Sequence, residues 1–234
     1  IALIDRIEAD TEFKPIKTNV DGIEISYWEV DEAVAELVAR EALAAREFAL
    51  AHAPGPVGDV YSVRLHPTRS SGPCLASGQL LSDPDIVHVY TVWLEEGLRA
   101  LATATRTMLR HEALHWIQQQ TLPGLLRAAE WWLKEGWPEH LVRADRSKTF
   151  RASFCDVNRR MSEARLRVGP PAYVTEFTDP GAYYAYVGPM VEYLIERHGE
   201  GSYWSLLKET SAPSRDRVEA YRAVLGLPPD DFYR

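Results

Sequence analysis

From Ile23 to Trp28 the chain reads Ile-Glu-Ile-Ser-Tyr-Trp, and the apolar-polar alternation predicts a strand with one face buried. From Asp31 to about His52 it is rich in alanine, leucine, valine and glutamate, which predicts a long amphipathic helix with Asp31 as N-cap. Pro54-Gly55-Pro56 ends it, and Val60 to Leu65 reads as a second strand before a polar loop from His66 to Pro73. Leu75 to Leu81 and Ile86 to Val92 are two further strands, split by Ser82-Asp83-Pro84-Asp85. The second, dense in branched and aromatic residues, suits the middle of a sheet. A helical pattern runs from Glu95 to Gln120 and breaks at Thr121-Leu122-Pro123-Gly124. Helices follow at about 125–145, 151–167, 181–198, 202–210 and 214–225. The loop from Val168 to Pro180, with Pro170 and Pro171, separates two of them and borders any cleft.

Strands first and helices afterwards predict an α+β fold. The expectation is one domain over 1–234, with an α/β lobe at about 20–120 and a helical lobe at about 125–226. The apolar share of 46% and charged share of 26% are ordinary for a soluble globular chain, and no apolar run is long enough to span a membrane. The net charge of -8, with no basic cluster, argues against a nucleic-acid partner. Cys74 and Cys155 are too few and too far apart in sequence for a disulfide scaffold or a thiolate zinc site, and whether they bridge is open. The sequence opens on Ile1 without a charged-then-apolar leader. A removed leader is compatible with that, so a soluble protein of either the cytoplasm or an exported compartment is expected.

The chemistry concentrates in His111-Glu112-Ala113-Leu114-His115, inside the helix predicted over 95–120. Histidines four residues apart project from one helical face, so both rings can reach a single ion. Glu112 then faces the open side of that ion, where a carboxylate can take a proton from water. A catalytic zinc needs one more protein ligand and one position left open. Acidic candidates follow in Trp131-Trp132-Leu133-Lys134-Glu135-Gly136-Trp137-Pro138-Glu139-His140.

The two motifs, with nineteen residues between His115 and Glu135, resemble the gluzincin metallopeptidases of the thermolysin and aminopeptidase N lineages. The nearest likeness is to the small bacterial peptidase MA-like domains, over roughly residues 20 to 210. That resemblance implies a small mixed N-terminal β-sheet packed on the zinc-motif helix, followed by a mainly helical C-terminal lobe. It implies one Zn2+ ion held by His111, His115 and Glu135, with Glu112 as general base. Glu139 corresponds to a carboxylate that orients a zinc-bound histidine, here His111. Aligning the family's later helix on Leu194 puts its oxyanion-stabilising tyrosine at Tyr184, with Tyr183 and Tyr186 as alternatives one or two residues away. The family's substrate-binding edge strand corresponds to Leu75-Ala76-Ser77-Gly78-Gln79, so Ala76, Ser77 and Gly78 become candidates for pairing with a peptide or protein substrate. Two features depart from the pattern. Pro138 removes the amide that would bond Lys134 and should bend the helix there, and the cluster of Trp131, Trp132 and Trp137 is bulkier than usual.

The expected activity is therefore peptide-bond hydrolysis. A zinc hydrolase of a non-peptide amide or ester, or a non-catalytic metal-binding module of the same fold, are the alternatives. Of the remaining histidines, His140 reads as a surface or supporting residue, and His198 before Gly199 as part of a helix end. His52, His66 and His88 read as structural or exposed.

Overall fold

Asp21 and Gly22 both adopt positive φ, 50° and 85°, the backbone that closes a two-residue hairpin with the twist its strands need. The Gly22 amide donates to the Asn19 side chain at 3.1 Å, and Lys17 pairs with Glu24 across the ladder. This turn joins β1 (Ile16–Val20) to β2 (Ile23–Tyr27) in antiparallel register. The computed structural model describes residues 16–27, 32–58, 61–67, 78–80, 86–91, 98–124, 128–144, 180–212 and 215–233. The expected N-cap Asp31, the cysteines, the helix expected over 151–167 and nearly all of the loop expected from Val168 lie outside them.

The chain divides into two compact units, residues 1–117 and 118–234. In the first, α1 (Glu32–Leu50) follows β2, and β3 (Tyr61–Pro67), β4 (Gly78–Leu80) and β5 (Ile86–Thr91) complete a five-stranded sheet of order β1-β2-β3-β5-β4. The sheet is mixed: β2, β3 and β5 run parallel, and β1 and β4 are antiparallel edges. Ala35, Val38, Ala42, Ala45 and Ala49 recur every three or four residues and form the buried face of α1, which packs on β2 and β3. Ile23 and Ile25 of β2 and Val63 of β3 are buried as well.

The helix α2 (Leu98–Thr121) begins in this unit and ends in the next. Two contacts fix its first-unit stretch. The Arg106 guanidinium forks onto the buried Glu41 carboxylate of α1 at 2.8 and 3.1 Å, and the Trp116 ring meets Tyr61 of β3 at 5.2 Å. The side-chain hydrogen bond to Arg106 holds the Glu41 carboxyl below its ordinary value.

In the second unit the described elements are all helical: α3 (Trp131–Ala144), α4 (Pro180–His198), α5 (Glu200–Ser211), α6 (Arg217–Leu225) and α7 (Pro229–Phe232). Glu130 sets the start of α3. Its carbonyl accepts from Leu133 and Lys134, while its carboxylate accepts from Trp132 Nε1 at 2.6 Å and the Tyr221 hydroxyl at 2.9 Å. The helix expected from residue 125 therefore begins at Trp131. Asp216 caps α6 by accepting from Val218 and Glu219, and Gly226 closes it with a positive φ of 76°. His198 ends α4 as expected, where Gly199 turns with φ 84° and its amide reaches Ile195 O.

Candidate metal centre

Within α2 the four-residue spacing brings the imidazoles of His111 and His115 together, with Nε2 to Nε2 at 3.1 Å and ring planes 77° apart. Glu135 lies in the second turn of α3. One nitrogen from each histidine and one Glu135 oxygen all lie within 4.8 Å of one another. Two ligands on a tetrahedral zinc at about 2.0–2.1 Å stand roughly 3.4 Å apart, so the histidine pair already has the required separation. A carboxylate needs to move no more than about 1.4 Å to close the set, within the reach of a glutamate rotamer. Two imidazoles and one carboxylate are the donor set of a catalytic zinc that leaves a position open. The side chains present fit the ion.

Burial suits the same role. His115 is 5% exposed, Glu135 5% and Glu112 7%, and His111 is half-buried. Carboxylates so enclosed are rare unless paired with a cation or a metal. The Lys134 ammonium stands 3.7 Å from Glu135 Oε1 and rests 4.3 Å above the Trp131 ring, which places one positive charge beside that carboxylate. The Tyr61 hydroxyl of β3 is fully buried, and desolvation, then the nearby Glu112 charge, pushes its ionisation far above the ordinary tyrosine range. Tyr61 therefore stays neutral beneath the motif at any working pH.

The glycine of Trp-Leu-Lys-Glu-Gly has a steric reason. A Cβ on Gly136 would stand 2.5 Å from Val191 Cγ2 and 2.6 Å from the Val187 carbonyl oxygen. Only hydrogen fits where α4 crosses α3 one residue after Glu135. A Cβ on Gly188 of α4 would in turn meet Glu139 Cβ at 3.3 Å and His140 N at 3.4 Å.

Of the tyrosines on α4, Tyr183 and Tyr186 are buried and Tyr184 is half-buried, its ring meeting Tyr183 edge-on at 5.6 Å. The Leu194 used to align them is fully buried. Glu139 forms an ion pair with Arg143, one turn along the same helix. Gly78 is the first residue of the edge strand β4, opposite Val89, whereas Ala76 and Ser77 lie outside the described residues. Trp132 and Trp137 are core residues, Trp137 stacking on Tyr203 at 5.9 Å.

Pro138 lies inside α3, which continues past it to Ala144. Gln118, overlooked in the sequence, donates from Nε2 to the Lys134 carbonyl at 2.9 Å. That is the acceptor Pro138 leaves without its helical donor. The signal was present in the sequence: a proline inside a helix demands a replacement donor for the carbonyl four residues earlier.

No known protein-family profile and no curated protein sequence matches the chain. Among solved structures, a mutant M1 zinc metallopeptidase from Deinococcus radiodurans is similar at 17% identity and TM-score 0.45, over 95% of this chain and 51% of that one. A mutant two-domain M1 zinc metallopeptidase bound to L-arginine is similar at 18% identity and TM-score 0.46, over 95% of this chain and 50% of that one. The chain thus spans about half the length of each. Likeness this distant says nothing of the chemistry here, which rests on the side chains themselves. Among the described residues, no helix is long and apolar enough to cross a membrane.

Proposed function

We propose that this chain is a zinc-dependent peptide hydrolase of the gluzincin type. The observation that carries the reading is the convergence of His111, His115 and Glu135 ligand atoms within 4.8 Å, with Glu112 next to the first histidine. When bound, zinc would supply Lewis acidity and lower the pKa of water toward about 7. Glu112 takes a proton from the attacking water and returns it to the departing amine, acting as base and then as acid. Tyr184 keeps part of its surface free while its neighbours Tyr183 and Tyr186 are enclosed, which supports it as the hydroxyl donor to the developing oxyanion. The edge position of β4 supports Gly78 as part of a strand that pairs with an extended peptide. Glu139 is assigned to supporting His111, a role compatible with its bond to Arg143.

Metal analysis and a peptide-library digest test this together. The expected result is one zinc per chain and cleavage of peptides ahead of small amides and esters. Glu112→Gln should keep the zinc and lose about 10²–10⁴-fold in turnover. Glu135→Ala should lose the zinc. Full activity in Glu112→Gln, or unchanged metal content in Glu135→Ala, would refute the assignment of that residue.

A further inference from the structure

Pro138 has no amide hydrogen, so the Lys134 carbonyl, four residues earlier in α3, has no donor within its own helix. That carbonyl belongs to the residue immediately before Glu135. Gln118 Nε2 stands 2.9 Å from it and 2.8 Å from the Tyr203 hydroxyl. A carbonyl oxygen only accepts, so the amide nitrogen of Gln118 must be the atom facing Lys134. Both hydrogens of that nitrogen are then committed, one to Lys134 O and one to Tyr203 Oη. The Tyr203 hydroxyl accepts from Gln118 and gives its own proton to the Leu133 carbonyl at 3.3 Å. Gln118 and Tyr203 are both fully buried, and desolvation keeps the Tyr203 hydroxyl protonated. Two consecutive backbone carbonyls ahead of Glu135 therefore receive side-chain donors in a network whose proton directions are fixed. Gln118 itself lies three residues beyond His115 on α2.

We propose that Gln118, seconded by Tyr203, is a positioning residue for the metal centre. It replaces the helical bond that Pro138 removes and ties the Glu135 turn of α3 to the last turn of α2, so that Glu135 is held ready for the ion. This rests on the reading of His111, His115 and Glu135 as the metal ligands. Glutamine suits the task because it offers two hydrogens from one nitrogen, so a single side chain serves both acceptors. An apolar residue of the same shape would leave the Lys134 carbonyl buried and unpaired, and α3 would relax around Pro138 to reach another donor.

Because Pro138 creates the need, removing the proline should remove the dependence. Zinc affinity is measured by competition with a chelating indicator, and coordination by the Co2+ visible spectrum, so neither readout requires turnover. Gln118→Met should weaken zinc about 10–100-fold, the range for residues that orient metal ligands. Pro138→Ala alone should bind zinc close to wild type. In Pro138→Ala, adding Gln118→Met should cost no more than about threefold, since the restored amide now serves Lys134. Equal losses with and without Pro138→Ala would overturn the proposal, as would an unchanged affinity in Gln118→Met. Should Gln118→Met not fold, the double variant must fold and bind zinc; its failure also overturns the proposal. His111→Ala separates the two levels: zinc retained there sinks the metal-site reading itself. Zinc lost in His111→Ala but kept in Gln118→Met sinks only the role of Gln118.

Discussion

Replacing Gly136 with alanine adds one carbon at the point where α3 and α4 are closest. The new Cβ would meet the Val187 carbonyl oxygen at 2.6 Å, where ordinary contact begins near 3.4 Å. The Val191 methyl at 2.5 Å can yield only by leaving a stiff branched rotamer, and the carbonyl is backbone and cannot yield at all. The two helices must therefore separate by about 0.8 Å, or α3 must turn about its axis by a comparable arc. Overpacking of this kind costs about 1–3 kcal/mol, and a backbone obstacle belongs in the upper half of that range. Alanine returns about 1 kcal/mol through helix propensity. The net is about 1–2 kcal/mol of destabilisation, or a melting point roughly 2–8 °C lower at about 2–4 °C per kcal/mol. Thermal unfolding of the metal-free protein isolates the packing effect, and the same scan with zinc adds the displacement of Glu135, so the deficit should widen when metal is present. A melting point equal to wild type or above it would mean that propensity alone is at work and that the helices do not approach as described.

Removing the cation from the buried Glu41, as in Arg106→Met, should destabilise the protein at neutral pH. The Glu41 carboxyl is held below its ordinary value of 4.5, so the stability it contributes is full above about pH 4.5 and fades as pH falls through the depressed folded value. Denaturant midpoints of wild type and Arg106→Met should therefore converge on acidification; a gap that stays constant down to pH 3 would contradict the ion pair. Tyr184→Phe should lower kcat by about 10²–10³-fold with little change in KM or zinc content, as expected for a donor engaged in the transition state. An equal loss in Tyr183→Phe or Tyr186→Phe, with Tyr184→Phe unaffected, would move the role to that neighbour.

The motif helix could be read directly, because a 3.6-residue period, two histidines at four-residue spacing and a downstream glutamate are all local patterns. Trp132 and Trp137 of α3 are both core side chains. β1 escaped notice because most of Ile16–Val20 is exposed, leaving no apolar alternation to follow. Its turn was the better signal, since Asp-Gly between two short extended runs marks a hairpin. The start of α3 was set too early because alanine and leucine continue the helical composition upstream, whereas the end is decided by partners of Glu130 as distant as Tyr221. Gly136 stands in the motif, but its reason lies on α4, and Gln118 finds its acceptors on α3 and α5. Pro138 announces that a donor is needed, but which distant residue supplies it is not marked by sequence spacing.

The sheet of the first unit has a kinetic corollary. β2 and β3 are neighbours only after the chain has travelled through the whole of α1 and returned, and β3 and β5 likewise pair in parallel across an intervening segment. Each of those ladders must spend loop-closure entropy before any strand bond repays it. In the second unit α4, α5 and α6 each rest on the next helix in the chain, so their docking needs no such return journey. Folding speed is thus distributed unevenly along this molecule, with the α/β half setting the pace.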